Sequence, residues 1–479
     1  MNNTRLLSLL KQLSKKELEQ FNDFLNSPFF NKNKKIVHLW KIIKPYDLDF
    51  SHEELKNYNT YEALQMKEQS IENLFRETTK LLNQFLIQIR FKEEIYFQKH
   101  LLLDELRRKA AIKLYQSNYK STKRQLENVL VKGNQYYLQK FMLDYNYADF
   151  VSQNSADNRV KIDALNRSIK SLDVFYVQEK MMQSSELENL KRLAKTEEIY
   201  PDLLAELQHK IEKGWLNDYP LVNILHQVLK LVIDDEETPF KIAQELLEQH
   251  KSKIPKQELF TIYTLLGNFC IRMIRQAKEE YAEHLFKIYE QTIRQAIIHT
   301  NPYISPDRLR NMVIIGCRLE LFEETRELIM EFKSNLNPIH RESVYHFNLG
   351  LVAYYEKTGG DYEKAKFELS KFPNQKNIYT FESERTLIKI HYEEKEIHAF
   401  WYLLPSFKSR VKNSKILGRV RQANYSNFCK IIHRMFKLKT EPNYKRSVES
   451  LRTMLDGFEK VSDRNWLKEK LNELDKGRN

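Results

Sequence analysis

Glycine is the residue that this sequence has least of relative to an ordinary protein. The chain has 10 glycines and 12 prolines among 479 residues, whereas average proteins contain roughly 7% glycine. Sheet hairpins and phosphate-binding loops need glycine, because it adopts a positive φ without steric cost. Runs of alternating polarity bounded by Asn-Gly or Asp-Gly are also missing. The sequence therefore predicts an all-α protein without a nucleotide-binding loop.

Cysteine is scarce as well, and the three cysteines are far apart in the chain. Cys270, Cys317 and Cys429 form neither a disulfide framework nor a zinc-binding spacing, so a reducing compartment is expected. Long apolar runs are missing too, since no stretch approaches the roughly 18 uncharged residues of a membrane span. We expect a cytoplasmic protein that does not associate with membranes.

Acidic residues are missing from one long segment, residues 397–440. The chain carries a net charge of +13 with a pI of about 9.2, and +11 of that charge lies in its last 79 residues. Such a concentration of cations favours anionic partners, above all nucleic acid. The residues that are candidates for anion or nucleic-acid contact are Lys408, Arg410, Lys412, Lys415, Arg419, Lys430, Arg434 and Lys437.

Three of these cations form a stripe on a predicted helix that begins near Gly418. Lys430, Arg434 and Lys437 follow steps of four and three residues, which place them on one helical face. Phe407 and Tyr425 suggest aromatic side chains that could stack on bases. The interpretation that we favour is an ordinary solvated face on a terminal helix pair, opposite acidic segments such as IDDEETP.

The N-terminal residues contain clear helix signals around the loop NSPFFNKNKK. Ser14 and Glu17 have the spacing of a capping box, and Pro28 ends the helix that follows. A third long helical pattern continues from about Tyr61 to residue 90. We expect Phe29 and Phe30 to fold back onto the neighbouring helices, with at least one of the two rings largely buried.

The middle of the chain contains a pattern typical of helical repeats. The segment YTLLGNFC places Tyr263, Leu266 and Gly267 at the aromatic, leucine and glycine positions of a tetratricopeptide (TPR) repeat, and Ala282 and Phe286 supply its later pair. Glycine and alanine permit close approach of two helices. The sequence therefore predicts antiparallel helix hairpins.

Degenerate copies of this pattern follow along the chain. The step from glycine to alanine is 15 residues for Gly267 and again for Gly350, about three more than in the standard repeat. Gly316 precedes Gly350 by 34 residues, which is the TPR period. The matching positions are Leu349, Gly350, Ala365 and Leu369 in one copy, and Ile315, Gly316 and Thr325 in the other.

Three segments make the chain resemble a known family as a whole. These are FNDFLNSPFFN, LLGNFCIRMI and LIKIHYEEKEIHAFWYLLPSFKSRVK, and they look like a family of uncharacterised bacterial helical-repeat proteins along essentially the full length. The resemblance implies a TPR-like all-α solenoid. It implies no activity and no catalytic residue.

Catalytic and metal-binding patterns are weak. His391, Glu394 and His398 share a helical face at steps of three and four, but zinc or iron would need a further ligand from another helix. Exposed side chains on a repeat helix explain the stretch better. We predict no enzymatic activity, no catalytic residue, no metal and no cofactor.

The predicted architecture is a right-handed α-solenoid of antiparallel, TPR-like helix hairpins with an N-terminal helical cap. The expected domains are residues 1–95 for the N-terminal helices, 96–400 for the repeat array and 401–479 for basic helices that continue or cap it. The predicted function is a non-enzymatic scaffold that binds a protein or peptide on its concave surface. The alternative is a nucleic-acid-associated regulator that uses residues 397–440 or the N-terminal helices. The oligomeric state is left open.

Overall fold

The secondary structure is helical throughout the part of the chain that the structure describes. The computed structural model describes residues 4–46, 68–194, 203–234, 236–294, 303–356, 362–371, 378–441 and 447–476. These ranges contain 22 α-helices, joined by turns and a few single 3₁₀ turns. The predicted all-α class is confirmed. No helix among the described residues has both the length and the apolar composition needed to cross a membrane.

The chain divides into two compact units. The first contains residues 1–130 and 134–175, and the second contains residues 131–133 and 176–479. The predicted domain boundaries near residues 95 and 400 stay predictions. The helices of the first unit are α1 (Thr4–Leu10), α2 (Lys15–Asn26), α3 (Lys34–Ile43), α4 (Glu68–Glu93), α5 (Ile95–Arg108), α6 (Ile112–Glu127), α7 (Asn134–Asn154) and the first part of α8 (Asn158–Ala194).

The second unit begins within α8 and contains the remaining helices. Consecutive helices pack against each other, as in the pairs α10 with α11, α12 with α13, α16 with α17 and α18 with α19. In chain order the helices are α9 (Leu204–Glu212), α10 (Pro220–Asp234), α11 (Glu237–His250), α12 (Lys256–Arg275), α13 (Tyr281–Arg294), α14 (Pro306–Arg318), α15 (Phe322–Phe332), α16 (Arg341–Glu356), α17 (Glu363–Ser370), α18 (Ile378–Glu393), α19 (Ile397–Asn413), α20 (Arg419–Thr440), α21 (Val448–Asp456) and α22 (Arg464–Lys476).

Helix α2 starts where the sequence predicts. The Ser14 hydroxyl accepts from the Glu17 backbone N–H, and the Glu17 carboxylate accepts from the Ser14 backbone N–H at 2.7 Å. This capping box satisfies two donors at the start of α2. Asn33 caps α3 in the same way by accepting from the Lys35 N–H. The predicted start of the third helical pattern near Tyr61 lies outside the described residues, and α4 is described from Glu68 onward.

The loop NSPFFNKNKK is a corner between α2 and α3, and its two phenylalanines differ. Phe30 stacks on Phe24 with ring centroids 4.2 Å apart and is half-buried against the N-terminal core. Phe29 is 85% exposed and packs edge-on against Phe30. The expectation that both rings fold back is therefore wrong for Phe29. Buried Asn31 holds the corner by donating to the Leu25 carbonyl at 2.9 Å.

The second unit contains three hydrophobic cores that follow one another along the chain. The first draws on residues 177–288, the second on residues 286–390 and the third on residues 381–471. Tyr289 and Ile315 pack against both the first and the second core, and Ile378 packs against the second and the third. Apolar contact is therefore continuous from one helix pair to the next.

One type of turn ends several helices and explains why the chain needs so little glycine. In the turn after α12, Ala277 has a φ of +65° and the Lys278 N–H donates to the Met273 carbonyl at 3.1 Å. This is the Schellman motif, in which glycine normally takes the left-handed position. A residue other than glycine in this left-handed conformation costs about 1–2 kcal/mol of stability. The same bond pattern recurs around Ala110, Glu320 and Lys395, with φ values of +51°, +61° and +57°.

Two glycines of the repeat pattern lie where helices approach closely. A Cβ atom on Gly350 of α16 would come within 2.6 Å of Leu369 in α17, and one on Gly316 of α14 within 2.2 Å of Thr325 in α15. Gly267 is different, because a Cβ there would meet Leu285 at 3.5 Å, an ordinary contact. The predicted role of glycine in close packing thus holds at two of the three positions.

This difference predicts opposite effects for one and the same substitution. Gly350→Ala and Gly316→Ala should lower the free energy of unfolding by about 1–3 kcal/mol, because the added methyl group overpacks the hairpin. Gly267→Ala should leave it unchanged or raise it by up to about 1 kcal/mol, because alanine favours helix. Chemical denaturation of the three variants measures both effects. Equal destabilisation by all three substitutions would contradict the packing argument.

Candidate binding cleft and basic surface

A cleft of about 510 Å³ lies in the second unit between α16, α18 and the start of α22. Tyr354 and Tyr355 form one wall at the end of α16. The other lining residues are Lys389 and Glu393 of α18 together with Asp463, Arg464, Asn465, Trp466, Glu469 and Lys470.

Helix α18 carries a charged face, and two of its residues, Lys389 and Glu393, line the cleft. Glu382, Arg385, Lys389 and Glu393 follow steps of three and four residues and therefore lie on one side of the helix. Such a face is ordinarily solvated, yet Glu382 is 5% exposed and Lys389 is 6% exposed. Buried charges need partners. Glu382 accepts from the Tyr425 hydroxyl of α20, and Lys389 pairs with Asp463, the residue before α22.

Asp463 is the central partner of this buried face. Its carboxylate forms ion pairs with Arg385 and with Lys389, the latter at 3.3 Å, and Arg385 also pairs with Glu382. Burial opposes ionisation of Asp463, but the charges of Arg385 and Lys389 outweigh burial and lower its pKa. Asp463 also has a φ of +53°. The ion pairs with Arg385 and Lys389 therefore hold Asp463 in this left-handed conformation.

Lys389 is enclosed by aromatic rings as well as by charge. Its Nζ lies 4.7 Å from the ring centre of Tyr354 and 5.2 Å from that of Trp466. Desolvated cation–π contacts of this kind stabilise an ammonium group. Burial nevertheless lowers the pKa of Lys389, and the Asp463 carboxylate only partly opposes this effect.

Glu393 joins the aromatic residues of three helices. Its carboxylate accepts hydrogen bonds from the Tyr354 hydroxyl at 2.9 Å, from the Trp466 indole N–H at 2.8 Å and from the Tyr362 hydroxyl. Burial opposes ionisation, but these three bonds and nearby Lys470 outweigh it and lower the pKa of Glu393. The two rings that flank Lys389 are thereby fixed in place before any ligand arrives.

The charge balance of the cleft limits what it can bind. Three of its lining residues are acidic and three are basic, so no net positive potential draws in a polyphosphate. Fixed donors, fixed acceptors and aromatic walls together suit a ligand with both polar and apolar groups. The acids are Glu393, Asp463 and Glu469, the bases are Lys389, Arg464 and Lys470, and the rings are Tyr354, Tyr355 and Trp466.

The basic residues predicted from the sequence lie elsewhere in the second unit, on α19, α20 and the turn between them. Arg410 is neutralised by Glu384, with Nη2 and Oε1 2.7 Å apart. Arg434 contacts the Met454 sulfur and is half-buried, as is Lys437. The exposed members of the set are Lys408, Arg410, Lys412, Lys415, Arg419 and Lys430.

His433 marks the point where cations of two helices converge. Burial lowers the pKa of His433, and the charges of Lys437, Lys408 and Arg434 lower it further. Lys408 belongs to α19 and the other two to α20, so the structure brings together residues that are far apart in sequence. Lys430 lies one turn before Arg434. We call Lys408, Lys430, Arg434 and Lys437 the basic surface.

The aromatic residues predicted to stack on bases are buried. Phe407 is 0% exposed and Tyr425 is 2% exposed, and both belong to the third core. The Tyr425 hydroxyl donates to Glu382. The suggestion that these rings form a stacking platform is wrong, because α18 covers the face of α20 that carries Tyr425.

The residues weighed as a metal site are occupied with other partners. His391 pairs with Glu396, and Glu394 pairs with Lys366 at 2.6 Å. His398 is exposed. Throughout the described ranges, no three histidine, cysteine, aspartate or glutamate side chains are grouped so that they could hold a metal ion.

The cleft was not predicted from the sequence. Asp463 and Trp466 lie more than 70 residues from Lys389 and Glu393, so no local motif connects them. The one available signal is that Lys389 stands between Ile388 and Ile390, which are fully buried. A lysine in an apolar stretch on a helix with a charged face indicates a buried ion pair.

Comparisons of the chain with protein-family models, with curated proteins and with solved structures found no match in any of the three. The case for a function therefore depends on the chemistry of the cleft and of the basic surface.

The ion pairs of Asp463 predict a large loss of stability when its charge is removed. Asp463→Asn should lower the free energy of unfolding by about 3–5 kcal/mol, because two buried cations lose their carboxylate. The control is Asp456→Asn. Asp456 pairs with Lys468 at 3.2 Å, and both side chains are more than half exposed, so the expected loss is below about 1 kcal/mol. Denaturant unfolding followed by tryptophan fluorescence measures both.

The Asp463 carboxylate also predicts part of the loss of stability at low pH. The pKa of Asp463 is lower in the folded state than in the unfolded state. Its stabilisation is therefore complete above the unfolded pKa of about 3.9 and is lost as the pH falls through the folded pKa. Asp463→Asn should remove this component of the pH dependence. If the acid-induced unfolding of the variant matches that of the unmodified chain, Asp463 does not contribute to this pH dependence.

Proposed function

We propose that the chain is a non-enzymatic helical-repeat scaffold that binds a segment of another protein in the cleft of the second unit. The proposed architecture is a right-handed, TPR-like α-solenoid of antiparallel hairpins with the N-terminal helices as a cap. Consecutive packed helices, cores in series and close glycine contacts support this architecture. In such arrays, function usually resides on the extended surface that the stacked hairpins expose.

The observation that carries the proposal is the composition of the cleft. Its rings offer apolar contact, its acids and bases balance, and its volume of about 510 Å³ lies within the range of ordinary ligand sites. A peptide presents backbone amides, charges of both signs and apolar side chains together. A polyphosphate presents negative charge alone.

The three cysteines are unsuited to act as nucleophiles, which supports the proposal of a non-enzymatic protein. Burial raises the pKa of Cys270, Cys317 and Cys429 to about 12 in each case. A nucleophilic cysteine needs a lowered pKa and access to its substrate, and these three thiols are buried. We therefore assign them to the core.

Peptide binding with matched cleft variants tests the proposal. A random peptide library is selected against the full chain, and the enriched peptides are measured by fluorescence anisotropy. Tyr355→Ala and Glu469→Lys should each weaken binding roughly tenfold or more, because both residues line the cleft from its open side. Tyr355 is 45% exposed and the Glu469 side chain 65% exposed, so neither change should unfold the protein.

The controls make the same chemical changes elsewhere. Tyr402→Ala alters a tyrosine that is 83% exposed, and Glu459→Lys alters another exposed glutamate. Neither residue lines the cleft, so both variants should bind like the unmodified chain. Selected peptides that bind all four variants equally, or a failure to enrich any peptide, would refute the proposed function.

A nucleic-acid-associated regulator is the second candidate, and the convergence of three cations on His433 favours it. Reversal of Lys430, Arg434 and Lys437 to glutamate should weaken low-salt binding of labelled DNA and RNA. It should also reduce the salt slope by about three, one unit for each lost phosphate contact.

The control for net charge is reversal of the exposed residues Lys32, Lys34 and Lys35. This variant has the same charge as the first and also tests the N-terminal helices as the contact. Equal binding by both variants and by the unmodified chain, or no binding at all, rejects the nucleic-acid function.

A further inference from the structure

A second, smaller cavity lies in the second unit, where α12, α13 and α14 meet. Its volume is about 180 Å³, which is below the roughly 300–1,000 Å³ of sites for drug-sized ligands. Its walls include Tyr263 and Asn268 of α12, Tyr289 of α13, and Arg308 and Asn311 of α14. Among the described residues that line it, Arg308 carries the one charge. The cavity shares no residue with the cleft.

Arg308 is half-buried at this cavity, and none of the described carboxylates forms an ion pair with it. Its Cζ atom lies 4.4 Å from the ring centre of Phe260. Stacking of this kind uses the face of the guanidinium and leaves the N–H groups at its edge for an acceptor. Burial lowers the pKa of Arg308, and Tyr289 opposes that effect. A partly desolvated cation is stabilised by an anion that reaches it from the cavity.

Tyr263 provides a second polar group for a ligand. Its side chain is 3% exposed, and its hydroxyl forms no hydrogen bond within the part of the chain that the structure describes. Buried hydroxyl groups are ordinarily hydrogen-bonded, so an unpaired one on a residue that lines a cavity indicates a place for a polar ligand. Burial, with a smaller contribution from the charge of Glu248, raises the pKa of Tyr263 to about 12. The hydroxyl is therefore a donor at neutral pH.

The two asparagines at the cavity are held by bonds to their neighbours. Asn268 donates to the Asn189 side chain at 3.1 Å, and Asn311 forms a hydrogen bond with the Tyr289 hydroxyl. An asparagine amide has two N–H groups, so Asn268 keeps one more for a ligand. Gly267 lines the same cavity, although packing against α13 does not require glycine there. Glycine at this position keeps the wall clear of a side chain.

We propose that this cavity binds a small carboxylic acid as its anion, with the carboxylate against the edge of Arg308. A guanidinium edge matches the two oxygens of a carboxylate in a bidentate pair. A phosphate group would bring a second charge, for which the described lining offers no second cation. Ile288 and Tyr289 provide apolar contact for a short alkyl chain. The site is separate from the cleft, so this inference does not depend on the proposed peptide binding.

Butyrate is the probe, and saturation-transfer NMR of the full chain measures its binding. Butyrate should bind, and butyramide, which has the same size and no charge, should not. Arg308→Gln should weaken butyrate binding roughly tenfold or more, because a charged hydrogen-bond donor is lost. The control is Arg275→Gln, which makes the same change at an exposed arginine of α12 that does not line the cavity. This variant should bind butyrate like the unmodified chain.

Tyr263→Phe separates ligand binding from a role in the fold. Removing a buried hydroxyl that has no partner should leave the free energy of unfolding without butyrate unchanged or raise it. The same variant should bind butyrate roughly threefold more weakly or worse, because one donor to the carboxylate is lost. No binding of butyrate, or equal binding of butyrate and butyramide, overturns the proposal. Unchanged affinity in Arg308→Gln or in Tyr263→Phe, or stronger binding of inorganic phosphate than of butyrate, does so as well.

Discussion

The ion pair between Arg385 and Asp463 is the interaction on which the cleft of the second unit depends. It joins the charged face of α18 to the start of α22 across 78 residues of sequence. Once Asp463 is fixed there, Trp466 lies one turn further along α22 and can reach both Lys389 and Glu393. The left-handed backbone of Asp463 costs about 1–2 kcal/mol. The carboxylate offsets that cost by pairing with two buried cations, since its loss would leave Lys389 without its ion pair and Arg385 with Glu382 alone, which would cost more.

The cleft and the basic surface differ in how their charges are used. In the cleft, nearly every charge has a partner within the protein, so its geometry is fixed and a ligand must match preset donors, acceptors and rings. On the basic surface the cations converge on His433 from two helices, and burial together with their charges lowers the pKa of His433. Fixed geometry favours recognition of one kind of ligand, whereas accumulated charge favours any polyanion. Because of this contrast, we propose peptide binding ahead of nucleic-acid binding.

Local signals predicted the helices well and the contacts between them poorly. The Ser14 capping box acts within a few residues, so the sequence alone was enough to place it. The close approaches at Gly316 and Gly350 followed from a repeat pattern. Tyr425 was misjudged, because its burial depends on a helix more than 30 residues earlier. The cleft was missed for the same reason, since Asp463 and Lys389 become neighbours only through the packing of α18 with α22.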